Sequence, residues 1–274
     1  MTAEMKVSAA VAPRRRFGGM SAGNSRAVIE RGLRATMSNN YLIILSGFFE
    51  PVFYLLSMGV GLGGIIGDIE LNREMIAYGA YIAPALLAVS AMNGAIYDST
   101  WNVFFKLNFG KLYQTMLLTS LGPVDVAIGE ITLALLRGGV YAVGFLIVMQ
   151  VMGLVLSPLA LLAIPAVILI AAGFASIGMA FTSYMKTFQQ MDWLPMVMLP
   201  MFLFSATFFP ISVYPEGIQV MIQCFPLWHG VELIRMLTTG EVTAMIWVHI
   251  GYYVVMLGVG VVVVSRRLRA LFLR

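Results

Sequence analysis

Apolar segments long enough to cross a lipid bilayer recur along this chain, and they constrain its fold more than any other feature. A hydrocarbon core about 30 Å thick requires roughly 20 apolar residues in a helix. Six segments meet this requirement, at residues 41–67, 75–97, 123–151, 158–184, 193–209 and 243–264. Charged residues make up only 11% of the chain, against roughly 25% in soluble domains. The sequence therefore predicts an all-α polytopic membrane protein with six transmembrane helices.

Basic residues predict the orientation of these helices. All Lys and Arg residues except Arg73, Arg137 and Arg235 lie in segments on one side of the predicted bundle. The positive-inside rule assigns that side to the cytoplasm. We therefore expect a multi-pass protein of the cell (inner or plasma) membrane with both termini cytoplasmic. In so apolar a chain, the basic residues are expected to contact anionic membrane lipids and not nucleic acid.

The two terminal regions lie outside the predicted spans. Residues 1–22, rich in Ala, Gly and Arg, predict a basic disordered tail. Residues 23–40 predict an amphipathic interfacial helix that lies in the headgroup layer. Its apolar stripe consists of Val28, Ile29, Leu33 and Met37. Its charged face consists of Arg26, Glu30 and Arg34. Residues 266–274 predict a basic cytoplasmic tail.

Residues 201–237 begin as a spanning segment and are then broken by three prolines, Pro210, Pro215 and Pro226. Each proline removes a backbone donor and moves the preceding residue out of helical geometry. The stretch ends in the polar set His229, Glu232 and Arg235. Broken backbone at membrane depth is tolerated only where protein buries it or where it lines a cavity. We therefore predict extracellular re-entrant helices between spans five and six, an arrangement that transporters use for gates and binding sites.

Apolar residues between the second and third predicted spans are too frequent for a solvated loop. They are Phe104, Phe105, Leu107, Phe109, Leu112 and Tyr113. Two interpretations are open for this helical piece. It is either an interfacial helix that lies on lipid or a helix that docks onto a cytoplasmic partner.

Three ionisable residues, Glu50, Glu130 and Arg137, lie inside predicted spans. Such groups cost free energy unless they pair or face a polar cavity. Glu130 and Arg137 are seven residues apart, too far for a direct pair within one helix, so we expect Arg137 to pair with Glu50. These residues either orient the helices or line a substrate path. Glu50 and Glu130 also leave open an ion-coupled secondary transporter that uses buried carboxylates as proton sites.

Motifs for several chemistries are missing from the sequence. The chain contains no G-x-x-x-x-G-K-[ST] phosphate loop, no G-x-S-x-G elbow and no H-E-x-x-H pair. No metal site is expected, since the only histidines, His229 and His249, have no companions at ligand spacing. We expect His249 to be packed or hydrogen-bonded within the sixth span. The lone Cys224 excludes an internal disulfide. A membrane enzyme that acts on lipid-linked sugar would require a cluster of carboxylates or histidines at the water interface, which is lacking.

Two motifs carry a resemblance to a known family: FSATFFPISVYP at residues 204–215 and FPLWHGVELIRML at residues 225–237. Together they resemble type-2 ABC exporter permeases, and most closely the nodulation-factor and daunorubicin exporter permeases. The segment TMLLTSLGPVDVAIGE at residues 115–130 and the pair Glu50-Pro51 are also similar to that family. The resemblance covers roughly residues 25–270. Trp228 departs from it, because the family has a small polar residue at that position.

The resemblance implies that residues 41–265 form a six-span ABC type-2 transmembrane domain. Such a permease pairs with a second copy or a sister permease and binds separate ATPase subunits. ATP would be bound and hydrolysed on those subunits, so this chain is expected to hold no cofactor and to be no enzyme. It would move an amphipathic, drug-like or lipid/glycan-linked substrate out of the cytoplasm. Drug, polyketide lipid, lipo-oligosaccharide and glycan precursor all remain open as substrates.

The resemblance also implies roles for individual residues. The ATPase-docking set is Phe104, Phe105, Lys106, Leu107, Phe109, Lys111 and Tyr113. The outer gate is Phe208, Phe209 and Pro210, with His229, Glu232 and Arg235 ordering the second re-entrant helix. Glu232 and Arg235 are three residues apart, so an ion pair on one helical face is expected. That pair either holds the helix in shape or contacts substrate.

Overall fold

The computed structural model describes residues 23–38, 49, 52–71 and 74–272, and this part of the chain is mostly helical. The helices are α1 (Ser25–Ser38), α2 (Val52–Ile66), α3 (Tyr78–Phe109), α4 (Leu112–Leu117), α5 (Pro123–Val151), α6 (Pro158–Thr182), α7 (Trp193–Phe204), α8 (Glu216–Gln223), α9 (Pro226–Thr239) and α10 (Met245–Phe272). Strands β1 (Asp68–Leu71) and β2 (Glu74–Ala77) form an antiparallel hairpin between α2 and α3. The all-α prediction did not include this hairpin.

Four helices in the described residues, α3, α5, α6 and α10, are long and apolar enough to cross a membrane. They correspond to the second, third, fourth and sixth predicted spans. The helical part of the fifth, α7, has 12 residues. Within the first predicted span, α2 is a shorter apolar helix. Residues 41–48, 50 and 51 of that span lie outside the described part. Six spans and the tail at 1–22 therefore stay predictions.

Helix α3 does not end at Tyr97, where the second span was predicted to stop. It continues to Phe109 through the π-helical segments Asp98–Asn102 and Phe105–Phe109. The polar residues that suggested an end instead bond within the helix. The Thr100 hydroxyl donates to the carbonyl of Ile96 at 2.6 Å, and the Asn102 amide donates to the Asp98 carboxylate at 2.8 Å. Internal bonding of this kind lets polar side chains continue a helix.

The core of the bundle is formed by the first 20 residues of α3. All of Tyr78–Tyr97 is buried except Ser90, Asn93, Gly94 and Tyr97. Helices α5, α6 and α9 pack around it. The segment is rich in alanine, and small residues let neighbouring helices approach closely where lipid supplies no hydrophobic driving force.

Helix α1 lies where an amphipathic helix was predicted, and it packs against protein. Its Val28 is buried against the first turns of α5. The approach requires glycine at 129, since a Cβ there would lie 2.5 Å from the Cβ of Val28. Val28 of the predicted apolar stripe therefore packs on α5.

The bundle has two chemically different ends. The first, which we call the α1 end, contains α1, residues 98–122, residues 183–192 and the last turns of α10. The second, the hairpin end, contains the β-hairpin, residues 152–157 and residues 205–244. Nine of the described Lys and Arg residues lie at the α1 end: Arg26, Arg31, Arg34, Lys106, Lys111, Lys186, Arg266, Arg267 and Arg269. Arg235 lies at the hairpin end and Arg137 lies within α5. The charge asymmetry used to predict orientation is thus present in the fold.

The last turns of α10 are helical, although residues 266–274 were predicted as a tail. Helix α10 continues to Phe272. The Arg267 guanidinium lies 4.6 Å from the centre of the Tyr184 ring, and its Nε donates to the carbonyl of Ser183 at 3.3 Å. These contacts fasten the end of α10 to the end of α6.

Candidate functional site

A buried carboxylate joins three elements at the α1 end. The Glu130 side chain is 6% exposed. Lys106 Nζ donates to its Oε2 at 2.5 Å, and Arg31 Nη2 lies 3.5 Å from its Oε1. The three residues come from α5, α3 and α1. A buried carboxylate is tolerated when cations neutralise it, and loss of one partner leaves an uncompensated charge. We refer to Arg31, Lys106 and Glu130 as the ion cluster.

Arg137 pairs with Asp98, which was not among the predicted partners. Its Nη1 donates to Asp98 Oδ1 at 2.5 Å, whereas Glu50 lies outside the described residues. Asp98 was not considered as a partner because the second span was predicted to end at Tyr97, and the pairing of Arg137 with Glu50 stays a prediction. Continued helix places Asp98 on α3 opposite Arg137 on α5.

The ion cluster includes a residue on which the alternative function, an ion-coupled secondary transporter, depends. Glu130 is one of the two carboxylates proposed as proton sites, and it is engaged by two cations. No observation among the described residues favours that alternative.

The predicted docking residues divide by exposure. Phe105, Phe109 and Lys111 are exposed, Lys106 and Leu107 are half-buried, and Phe104 and Tyr113 are buried. Phe104 packs against Met185 and Met191. Its ring faces inward and contributes nothing to the outer surface, and the same holds for Tyr113.

Phe188, which the sequence reasoning missed, completes this surface. Its ring centre lies 5.2 Å from that of Trp101 and 6.2 Å from that of Phe105, and the side chain is 47% exposed. The available signal was an aromatic residue in the other short connection on the same predicted side. We call Phe105, Phe109 and Phe188 the aromatic face.

At the hairpin end, the carbonyl of Ala206 is the meeting point of three elements. The Tyr81 hydroxyl and Arg235 Nη2 both donate to it, each at 2.9 Å. The Arg235 guanidinium also lies 4.2 Å from the centre of the Tyr81 ring. Its Nη1 donates to Glu232 Oε1 at 2.5 Å, which confirms the predicted Glu232–Arg235 pair. Arg235 is thus engaged on one side by Glu232 and on the other by protein backbone and ring, whereas its buried Nε has no hydrogen-bond partner among the described residues.

His229 and His249 face each other across α9 and α10. Their Nδ1 atoms lie 2.8 Å apart, so one ring donates from Nδ1 and the other accepts. The expectation that His249 is hydrogen-bonded is confirmed, with a partner outside its own helix. The Tyr252 ring stacks on His229 at 4.1 Å. Burial, and then the neighbouring His249, lowers the pKa of His229 from 6.5 to about 4.

A tight contact locks α9 against α10 beside the histidines. The Tyr253 hydroxyl donates to the carbonyl of Pro226 at 2.7 Å. A Cβ on Gly230 would lie 2.6 Å from the same hydroxyl oxygen, so only glycine fits there. Within the described residues, no group of three His, Cys, Asp or Glu side chains is arranged to hold a metal ion.

Comparison with known proteins decides the family. The sequence profile of the ABC-2 type transporter family matches residues 24–238. The chain belongs to the ABC-2 type transporter family.

Curated relatives of this transporter chain share one name. Nodulation protein J of Rhizobium leguminosarum bv. viciae is 29% identical over 250 residues, which cover 89% of this chain and 95% of the relative. Nodulation protein J of Bradyrhizobium diazoefficiens is 28% identical over 216 residues, covering 78% and 81%. Nodulation protein J of Rhizobium meliloti is 25% identical over 209 residues, covering 76% and 78%. The chain is therefore an ABC-2 membrane subunit, a class that is not itself enzymatic and that associates with an ATP-binding subunit.

The predicted gate residues of this ABC-2 subunit lie on the segment that follows Ala206. Phe208 is half-buried, with its ring centre 5.1 Å from that of Phe202. Phe209 is 51% exposed, and Pro210 is half-buried with extended backbone. His229 faces α10, where it meets His249 and Tyr252. One link between this segment and α9 runs from Arg235 to the Ala206 carbonyl, and Trp228 of α9 belongs to the same buried cluster as Ala206.

A cavity opens between α2, α3 and α7 of the transporter chain. Its volume is about 470 Å³. The lining is mostly apolar and aromatic, with Tyr54, Trp101 and Phe202 among its walls and the amide of Asn93 as a polar group. Such a site suits a ligand with a large apolar part and few polar contacts.

Proposed function

We propose that this chain is the permease subunit of an ATP-driven exporter that moves an amphipathic, drug-like or lipid/glycan-linked compound out of the cytoplasm. Two copies, or one copy and a sister permease, would form the path, with an ATPase subunit bound to each at the α1 end. The observation that carries the proposal is the aromatic face. Three exposed aromatic rings at the most basic end of the molecule form a surface that the ATPase subunit would cover.

The ion cluster supplies the connection from that partner to the spans. Lys106 belongs to the same end of α3 as Phe105 and Phe109, and it is bound to Glu130 of α5. Arg31 adds α1 to the unit. A push on the aromatic face would therefore move α1, α3 and α5 together, as a rigid-body shift. Helix α5 has 29 residues, roughly 44 Å at 1.5 Å per residue, which is enough to carry that shift across a bilayer.

The proposed substrate path starts at the cavity between α2, α3 and α7. Helix α7 exposes much of its apolar surface, with Met196 67% and Val197 63% exposed. A second permease would cover this surface and close the cavity into a path. Phe208, Phe209 and Pro210 lie beyond the end of α7, in position to act as an outer gate. The name of the relatives refers to nodulation, and with the resemblance to nodulation-factor exporters it favours a lipid- or glycan-linked substrate.

The proposed orientation follows from the charge asymmetry. The α1 end, with nine of the described basic side chains, would face the cytoplasm. The hairpin end, with α8, α9 and the gate segment, would face outside. Both termini would then be cytoplasmic, which puts the aromatic face where an ATPase subunit can reach it.

The test is transport by the permease and its ATPase subunit, reconstituted together in lipid vesicles. We expect substrate movement that requires both ATP and the ATPase subunit. Replacing Phe105 and Phe109 together with Ala should abolish most of the transport and of the co-purification of the ATPase subunit. Trp247→Ala is the matched control, since Trp247 is 73% exposed near the hairpin end, and it should leave both unchanged. Transport that proceeds without ATP or without the ATPase subunit would overturn the proposal.

A further inference from the structure

The chain makes an unusual backbone turn where α7 ends. Ala206 has φ 54°, in the left-handed region that residues other than glycine rarely adopt. Ala206 is buried, as are its neighbours Ser205 and Thr207. The Ser205 hydroxyl donates back to the carbonyl of Met201 at 2.5 Å, so the helix is closed off at that point. A buried left-handed alanine persists only where its surroundings hold it.

The surroundings that hold Ala206 come from two distant parts of the chain. Tyr81 lies 125 residues earlier and Arg235 lies 29 residues later. Both are buried, with 0% and 3% exposed. The carbonyl of Ala206 uses both of its lone pairs on these donors, and the Arg235 guanidinium stacks on the Tyr81 ring. The three residues form one closed contact, which we call the Ala206 latch.

Helix α3 connects this latch to the opposite end of the molecule. Tyr81 lies in its first turn and Lys106 lies in its last, so the two are separated by roughly 38 Å along the helix. The gate segment Phe208–Pro210 begins two residues after Ala206. A displacement of α3 at the ion cluster would therefore reach the gate segment directly through the Tyr81 hydroxyl, beside the indirect route through α9, which packs on α3.

We propose that Tyr81 is a positioning residue for the gate: its hydroxyl transmits the movement of α3 to the segment that carries Phe208, Phe209 and Pro210. The proposal rests on the proposed exporter function. Arg235 holds the same carbonyl from α9 and keeps the latch closed while α3 moves. Nothing about Tyr81 in the sequence, a tyrosine in an apolar helix, distinguishes it from Tyr78.

The test uses Tyr81→Phe, which removes the hydroxyl and keeps the ring on Arg235. Tyr78→Phe is the matched control, because Tyr78 lies one turn earlier in α3, is equally buried, and its hydroxyl makes no hydrogen bond among the described residues. Arg235→Lys is a second variant that loosens the latch from the other side. The readouts are the transport per ATP hydrolysed in vesicles and the mobility of a nitroxide spin label. The label is attached to Cys224, the one cysteine of the chain, which is exposed at the end of α8.

We expect Tyr81→Phe to raise the mobile fraction of the label at least twofold and to lower transport per ATP several-fold, with ATP hydrolysis and folded yield unchanged. Arg235→Lys should raise the mobile fraction as well, and Tyr78→Phe should match the unsubstituted protein. A purely structural role would lower hydrolysis, transport and yield in proportion. The proposal is overturned if Tyr81→Phe behaves like Tyr78→Phe, or if the label is freed without a fall in transport per ATP. If the unsubstituted complex shows no ATP-dependent transport, the exporter function fails, whereas the label still decides whether the latch restrains the chain between the gate segment and α9.

Discussion

The two ends of this permease hold their elements together by different interactions. At the α1 end, full charges are paired across helices, with Glu130 between Lys106 and Arg31. At the hairpin end, the Glu232–Arg235 ion pair lies within one helix, α9, and the elements are joined by hydrogen bonds such as those from Tyr81 and Arg235 to a carbonyl and between His229 and His249. Removing one partner of a buried ion pair is strongly destabilising, because the other charge stays buried without compensation. A neutral hydrogen bond contributes only about 1 kcal/mol to stability. We therefore expect the α1 end, where docking of an ATPase subunit is proposed, to be more rigid than the hairpin end.

The largest effect expected from this contrast is that of Glu130→Gln. It leaves Lys106 and Arg31 without their counter-charge, and we expect the free energy of unfolding to fall by about 3 kcal/mol. Chemical denaturation of the purified permease in detergent measures it. Glu30→Gln is the control, since the Arg26–Glu30 pair is exposed and should contribute less than about 0.5 kcal/mol. Similar losses for both variants would remove the contrast between buried and surface pairs.

A second effect is expected at the Arg137–Asp98 pair. Arg137→Leu alone should cost about 2 kcal/mol, because it leaves the largely buried Asp98 carboxylate unpaired. Adding Asp98→Leu should recover more than half of that loss in the same denaturation experiment. Additive losses would show that the two side chains do not depend on each other.

The hairpin end should respond to pH through His229. The folded protein holds this imidazole with a pKa of about 4, below the ordinary 6.5. Between pH 6.5 and about 4, His229 is protonated in the unfolded chain and neutral in the folded chain. The free energy of unfolding therefore falls as the pH falls through this range. Melting temperatures from pH 7.5 to 4.5 measure the effect. His229→Gln should flatten the profile, and an unchanged profile in that variant would assign the pH response to another group.

The smallest effect on stability is expected at the aromatic face. Phe109 is 68% exposed, so Phe109→Ala should change the free energy of unfolding by less than about 0.5 kcal/mol. Binding of the ATPase subunit, measured by co-purification, should nevertheless weaken. A large loss of stability would place Phe109 among structural residues, as Phe104 already is.

The sequence predicted a good part of this architecture because spanning helices leave a local signal. Helices α5 and α6 begin at the predicted prolines, Pro123 and Pro158, and α1 lies inside residues 23–40. The Glu232–Arg235 pair followed from a spacing of three residues. The end of α3 was missed because Asp98, Ser99 and Thr100 read as a polar loop, whereas their side chains bond inside a continuing helix.

Membrane class, four spanning helices, the proline breaks and the family resemblance were determined by the sequence itself. These properties depend on hydropathy, on proline stereochemistry and on residues close together in the chain. The tertiary structure decided the rest: Asp98 as the partner of Arg137, Phe104 inside and Phe188 outside, and Tyr81 with Arg235 on the carbonyl of Ala206. Each of these contacts depends on how far one helix is rotated and displaced against another. That rotation is set by packing over the whole bundle, so no short stretch of sequence contains it.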